Sequence, residues 1–275
     1  MQVVLITGAS SGIGAALAEE YVRRGHHVAL CARREDRLQE VADRCQKHNP
    51  AATVICVKAD VTKREEMDQA VAQVVEKFGR LDTVIANAGF GVAGKFEKLT
   101  HEDYQRQFDT NVFGVMNTLW AALPELKKTK GRIGLIASVL GYVALPSSSA
   151  YCMSKSAVLA LGECLRLEVA PHGVSVTNVC PGFIESEIHQ VNNRGEYDPD
   201  RTGRSAPQRL VMPADKAAKQ IYRALQARAY EAVITWHGRG AVFLQKHFGS
   251  IVAWGLKGFA TNKRLNREVK RPLAE

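Results

Sequence analysis

The segment YCMSK, residues 151–155, sets a phenol and an amine four positions apart. On a helix such side chains share one face, one turn from each other. A free phenol with a pKa near 10 holds its proton too tightly to act as a base at neutral pH, and a nearby ammonium favours its ionised form. Tyr151 and Lys155 therefore have the types and spacing of a proton-transfer pair, although the same spacing arises by chance in many helices. A second candidate is TGASSGIG, residues 7–14, where Gly8, Gly12 and Gly14 stand between an apolar run and a helical pattern. Glycines there allow a tight turn and close backbone approach, and the helix N-terminus that follows offers free N–H groups and partial positive charge to a pyrophosphate.

The elements that must position these residues are legible as an alternation. Seven short, β-branched apolar runs, VVLIT (3–7), HVALCA (27–32), TVICVKA (53–59), DTVIAN (82–87), RIGLIAS (132–138), VSVTNVC (174–180) and EAVITW (231–236), are separated by segments long enough for crossover helices. Their continuous apolar character predicts strands buried on both faces, as in a parallel sheet covered on either side by helices. Right-handed crossovers then leave few topologies. The expected fold is α/β, a doubly wound Rossmann-type parallel sheet of seven strands, with ligands bound beyond the carboxyl ends of the strands. The glycine motif falls just after the first run.

The second run ends in CARRED, with Ala32, Arg33 and Arg34 where an NAD-preferring fold would place an acid for the ribose hydroxyls. A guanidinium pairs a phosphate in bidentate fashion, so NADP(H) is the expected dinucleotide and NAD the disfavoured one. Arg33 has the better position for the 2′-phosphate, whereas Arg34 reads equally well as a solvated charge at a helix start.

Seven motifs now stand in register: TGxxxGxG, KADV (58–61), NAG (87–89), TNVFG (110–114), IAS ending in Ser138, YCMSK, and PGFIES (181–186). Their order resembles that of the short-chain dehydrogenase/reductase family over roughly residues 1–236. The resemblance implies that Tyr151 is the proton donor for carbonyl reduction or the base for alcohol oxidation, and that Lys155 supplies positive charge and binds the nicotinamide ribose. It implies that Ser138 donates a hydrogen bond to the substrate oxygen and that Asn111 holds a water in a proton relay behind the lysine. The cofactor would lie along Gly8, Ser10, Ser11, Gly12, Ile13 and Gly14. Asp60 and Val61 would contact adenine, with Asn87, Ala88 and Gly89 lining the central strand. Pro181, Gly182, Ile184 and Ser186 would border the nicotinamide. Asp60 also reads as a helix N-cap, and Asn111 as a buried amide satisfying local backbone. A homodimer or homotetramer and a small carbonyl or alcohol substrate are further implications. A non-catalytic dinucleotide sensor is the rival reading, against which the intact set Asn111, Ser138, Tyr151 and Lys155 argues.

Composition excludes other classes. The net charge is +9, but +6 of it lies from residue 237 onward, where eight Lys or Arg face two Glu. A nucleic-acid partner is therefore not expected. The eight histidines show neither HExxH nor paired-ligand spacing, so no metal site is predicted. Six cysteines without CxxC pairs, and an N-terminus that opens directly on a strand-like run, predict a cytoplasmic protein with reduced thiols and no signal peptide. Residues 183–210 have the polar, Gly- and Asn-rich composition of a mobile lid, whose Arg194, Arg201, Arg204 and Arg209 read mainly as solvated. Residues 237–275 read as a basic amphipathic extension with Leu244, Phe248, Ile251, Val252 and Phe259 on one stripe and extra bulk at Phe243, Trp254 and Leu256. Packing on its own or a neighbouring subunit is expected, with peripheral contact to an anionic membrane as the alternative.

Overall fold

The structure, a computed structural model, describes residues 1–198 and 208–261 of the 275. Its strands are β1 (Val3–Thr7), β2 (His27–Ala32), β3 (Val54–Lys58), β4 (Thr83–Ala86), β5 (Arg132–Ile136), β6 (Ser175–Cys180) and β7 (Glu231–Val233). They form one parallel sheet in the order β3-β2-β1-β4-β5-β6-β7. The chain winds outward from β1 to β3, then returns to place β4 on the other side of β1. That reversal opens a crevice above the carboxyl ends of β1 and β4, where such sheets bind ligands.

Several strands are shorter than their apolar runs. Asp82, which precedes β4, instead accepts the Val3 N–H at 2.8 Å and pairs with Arg80, so a side chain ends the ladder there. Helices α1 (Gly12–Arg23), α2 (Glu35–His48) and α7 (Ala214–Gln226) cover one face, and α3 (Arg64–Phe78), α5 (Gly114–Thr129) and α6 (Ser149–Val169) the other. Leu5, Ile6, Leu30, Ile85, Ile133 and Leu135 are fully buried between these layers. Each such side chain stabilises the fold by about 2 kcal/mol.

Two devices hold the site's helices. The helix α6 approaches β6 so closely that a Cβ on Gly162 would collide with the Asn178 amide. Between α4 (His101–Phe108) and α5 lies a π-helical turn, Asp109–Phe113, which carries Asn111. Such turns widen the helix by one residue and recur at functional sites.

The final helix, α8 (Trp236–Thr261), departs from the expected stripe. Its backbone is non-helical at Phe248, with φ −136° and ψ 38°, so the two halves do not share one continuous face. Val242 is buried against Val139 and Val143, with Leu256 packed on the same cluster, whereas Phe243, Leu244, Phe248, Ile251 and Trp254 are exposed. The Tyr142 hydroxyl and the Lys246 ammonium both donate to Glu231, tying the helix to the sheet edge. Among the described residues no helix is long and apolar enough to cross a membrane. The side chain of Phe259, and Arg201 and Arg204, lie outside what is described.

Candidate active site

The glycine turn after β1 is shaped by close approach. Gly8 has φ +64°, and a Cβ there would sit 2.7 Å from the Ala88 Cα. A Cβ on Gly14 would strike the Gly8 carbonyl oxygen and lie 2.6 Å from the Asn87 amide nitrogen. The Asn87 amide donates to the carbonyls of Thr7 (2.9 Å) and Gly8 (3.1 Å), while the Thr7 hydroxyl accepts from the N–H groups of Asn87 and Ala88. These bonds lock the turn to the end of β4. The N-cap residue of α1, Ser11, makes no side-chain cap bond, which leaves the helix's first-turn N–H groups and their partial positive charge for an anion. Ile13 lies in that first turn and packs partly buried on the core. The chemistry of this turn fits a dinucleotide's pyrophosphate, because the close packing at Gly8 and Gly14 holds the turn against the end of β4 while the first-turn N–H groups of α1 stay uncapped.

Beyond β5 and on α6 stand the candidate proton-transfer residues. Ser138 follows β5 at the start of a short 3₁₀ turn, and its oxygen accepts the Leu140 N–H at 3.1 Å. Tyr151 and Lys155 lie one turn apart on α6, the ammonium 5.7 Å from the ring centroid. Burial pushes the Tyr151 phenol up to about 12, and a hydrogen bond with Ser138 pulls the other way. Burial also draws Lys155 down to about 8. Its Nζ donates to the Ile136 carbonyl at 2.8 Å. The backbone of Gly89 passes close by: a Cβ there would lie 3.0 Å from the Asn111 oxygen and 3.6 Å from Lys155 Nζ. Asn111 itself is fully buried and spends its amide protons on the Phe90 carbonyl (3.0 Å) and the Ser154 hydroxyl (3.1 Å). Its side-chain oxygen accepts the Phe90 N–H. The asparagine side chain thus pins the strand-end loop beside the lysine.

After β2 the two arginines diverge. Arg33 is exposed, donates to the Gly195 carbonyl at 3.1 Å and lies 3.9 Å from Asp60. Arg34 turns inward and reaches the hydroxyls of Ser10 (3.2 Å) and Ser11 (3.4 Å). The inner of the two is therefore Arg34. Asp60 caps no helix, since α3 starts four residues later. Its carboxylate instead accepts from the backbone and hydroxyl of Thr62 in a local turn. Val61 packs against Gly114 and offers its carbonyl to Asn117. At the other end the Pro181 carbonyl accepts the Val139 N–H, Ile184 is buried, and Ser186 rests on Gly12, 3.1 Å from where a Cβ would stand. Gly182 lies against Thr235 and His237, the latter stacked on Phe183.

Some residues of the site escape sequence reading. Thr7 carries the junction between turn and strand, and Gln107, buried four residues before Asn111, bonds Val92 N–H and the Phe90 carbonyl. The spacing of Gln107 and Asn111 on one helical face was the available signal. Glu187, which accepts from Arg34 at 3.2 Å and Arg37 at 2.6 Å, had none, because its partners are some 150 residues away.

The short chain dehydrogenase family profile matches residues 2–196. The chain is 41% identical over 219 residues to 11-beta-hydroxysteroid dehydrogenase-like 4A of Arabidopsis thaliana, covering 79% of this chain and 70% of that protein. It is 38% identical over 243 residues to 11-beta-hydroxysteroid dehydrogenase A of Sesamum indicum, covering 86% and 69%. Among solved structures, the alcohol dehydrogenase of Thermococcus sibiricus complexed with 5-hydroxy-NADP superposes with a TM-score of 0.75 at 29% identity, over 86% of this chain and 96% of the other. A short chain dehydrogenase/reductase of Burkholderia phymatum in complex with NAD gives 0.79 at 26%, over 88% and 92%. With its parallel seven-stranded sheet and its glycine cradle, the chain belongs to the short-chain dehydrogenase family of nicotinamide-dependent oxidoreductases.

Proposed function

We propose that the protein interconverts a ketone and a secondary alcohol with NADP(H), in the reducing direction, on residues 1–236. The observation that carries this reading is the convergence of Ser138, Tyr151 and Lys155 at the carboxyl end of β5, beside the pinned loop of Gly89 and Phe90. When bound, the nicotinamide supplies the hydride. Ser138 holds the substrate oxygen and offers a hydrogen bond to the charge that develops there. The phenol of Tyr151, kept neutral by burial, retains at neutral pH the proton that this oxygen must receive. Lys155 holds a positive charge next to the tyrosinate left behind and offers its remaining donors to the cofactor's ribose. Asn111 acts through the loop it fastens and through the widened helical turn that carries it. Arg34, with Ser10 and Ser11, would hold a 2′-phosphate, and Arg33 would shield it from outside.

The names of the plant relatives support a hydroxysteroid-like, bulky apolar substrate, as does the apolar cluster of Phe90, Val92, Ala150 and Val191 next to Tyr151. Exposed Phe113, Trp120, Met153 and Leu167 on α5, α6 and the turn between α4 and α5 support a homo-oligomer built on those helices. The extension from residue 237 would wall the cleft through His237 and Val242, and six unpaired cysteines are in keeping with a reducing cytoplasm. The test is NADPH oxidation with a ketone panel that includes ketosteroids, run for wild type, Tyr151→Phe and Arg34→Ala. Tyr151→Phe should abolish turnover with NADPH binding intact, and Arg34→Ala should erase the preference for NADPH over NADH. A wild type inert toward the whole panel would leave a dinucleotide-binding protein without this catalysis.

A further inference from the structure

Glu187 belongs to the short turn Glu187–Gln190 that follows Ser186. One carboxylate oxygen accepts from Arg37 at 2.6 Å and the other from Arg34 at 3.2 Å. The same Arg34 nitrogen donates to the hydroxyls of Ser10 and Ser11. Two guanidinium groups and two serines thus gather around one carboxylate, next to the uncapped first turn of α1. A groove of about 530 Å³ opens beside this cluster, bordered by Ser10, Ser11, Arg37 and Glu187 and also by the acidic Glu19, Glu40, Glu185 and Asp215 and the basic Arg23 and Arg44. Paired guanidinium forks with hydroxyl donors form a set suited to a phosphate dianion, and a carboxylate satisfies part of it. The rest of the basic cluster is engaged from the same segment. Gly195 takes the Arg33 hydrogen bond, and the Tyr197 ring lies 5.1 Å from the Arg34 guanidinium carbon.

The geometry points to Glu187 as a built-in occupant of the 2′-phosphate subsite, a specificity-determining residue that competes with the cofactor's phosphate for Arg34 and Arg37. This rests on the NADP(H) reading given above. A carboxylate and a phosphate cannot share both guanidinium groups without facing each other as like charges. A dinucleotide that lacks the phosphate makes no such demand and leaves Glu187 in place. The carboxylate therefore weakens binding of the phosphorylated cofactor selectively, and the preference for NADP(H) in the wild type is smaller than the arginines alone would set.

Glu187→Gln keeps the size of the side chain and removes its charge. Dissociation constants for 2′,5′-ADP and 5′-AMP, measured by calorimetry on the full chain, isolate the subsite from turnover. The variant should bind 2′,5′-ADP about fivefold more tightly, the size of one partly exposed charge pair, with 5′-AMP unchanged. Equal changes for both ligands would assign Glu187 a merely structural role and overturn the proposal. If the wild type prefers 2′,5′-ADP and Glu187→Gln leaves that preference as it was, the competition is refuted and the NADP(H) reading stands. If neither protein distinguishes the two ligands, both readings fall.

Discussion

Lys155 is 4% exposed, and its ammonium has the Ile136 carbonyl as its hydrogen-bond partner. Burial brings its pKa from 10.5 to about 8. The folded chain therefore sheds this proton near pH 8 and the unfolded chain near 10.5. Between those values the unfolded state binds more protons, so stability rises with pH across the window and the charged lysine opposes folding below it. At about 1.36 kcal/mol per pH unit the interval amounts to roughly 3 kcal/mol at pH 7. Lys155→Met preserves the length of the side chain and removes the ionisation. It also orphans the Ile136 carbonyl, at about 1–2 kcal/mol. The cofactor-free variant should thus be about 1–2 kcal/mol more stable than wild type at pH 7, while inactive. That advantage should shrink by about 1.4 kcal/mol between pH 7 and 9, because only the wild type gains stability from losing the proton. Urea denaturation at pH 7, 8 and 9 measures it. Taking the difference between the two proteins cancels the thiols of Cys31 and Cys45, which burial raises to about 12 and on which Lys155 has no influence. A difference that stays constant over this range would refute the argument that the lysine is held charged at a cost.

Two further substitutions separate chemistry from scaffold. Ser138→Ala should lower kcat by about 10²–10³, the usual loss of one donor to a developing oxyanion, and leave the urea midpoint within about 1 kcal/mol of wild type. A loss in kcat/KM through KM alone would contradict the assigned role. Gly14→Ala drives a methyl group onto the Gly8 carbonyl and the Asn87 amide, so it should destabilise the fold by about 1–3 kcal/mol and abolish dinucleotide binding. Unaltered binding in a thermal-shift titration would show that the turn yields more readily than its contacts suggest.

The fold was legible because its signals are local. Each β-branched run announces a strand, and five of the seven motifs sit within a few residues of a strand's end, so order along the chain was enough to place them. What was not legible depends on pairings across the chain. Position favoured Arg33 for the phosphate, yet Arg34 turns toward Ser10 and Ser11, a direction set by how α2 starts. Thr7 looks like the last residue of a strand until Asn87 is brought beside it. The stripe read from Leu244 to Phe259 assumed unbroken helical phase. The break at Phe248 cancels that phase, so Val242 and Leu256 pack while Leu244, Phe248 and Ile251 face outward.

Burial acts in opposite directions on Tyr151 and Lys155, the candidate proton-transfer pair, and this sets the protonation state in which the free site rests. It makes tyrosinate harder to form and ammonium harder to keep. Below pH 8 the protein nevertheless holds a neutral phenol and a charged amine together, which is the protonation state that delivers a proton to a carbonyl oxygen. Alcohol oxidation needs the opposite state of Tyr151 at the outset, a phenolate in a buried site, and the hydrogen bond from Ser138 opposes only part of that penalty. The reducing direction proposed above is in keeping with this protonation state, whichever dinucleotide the arginines select.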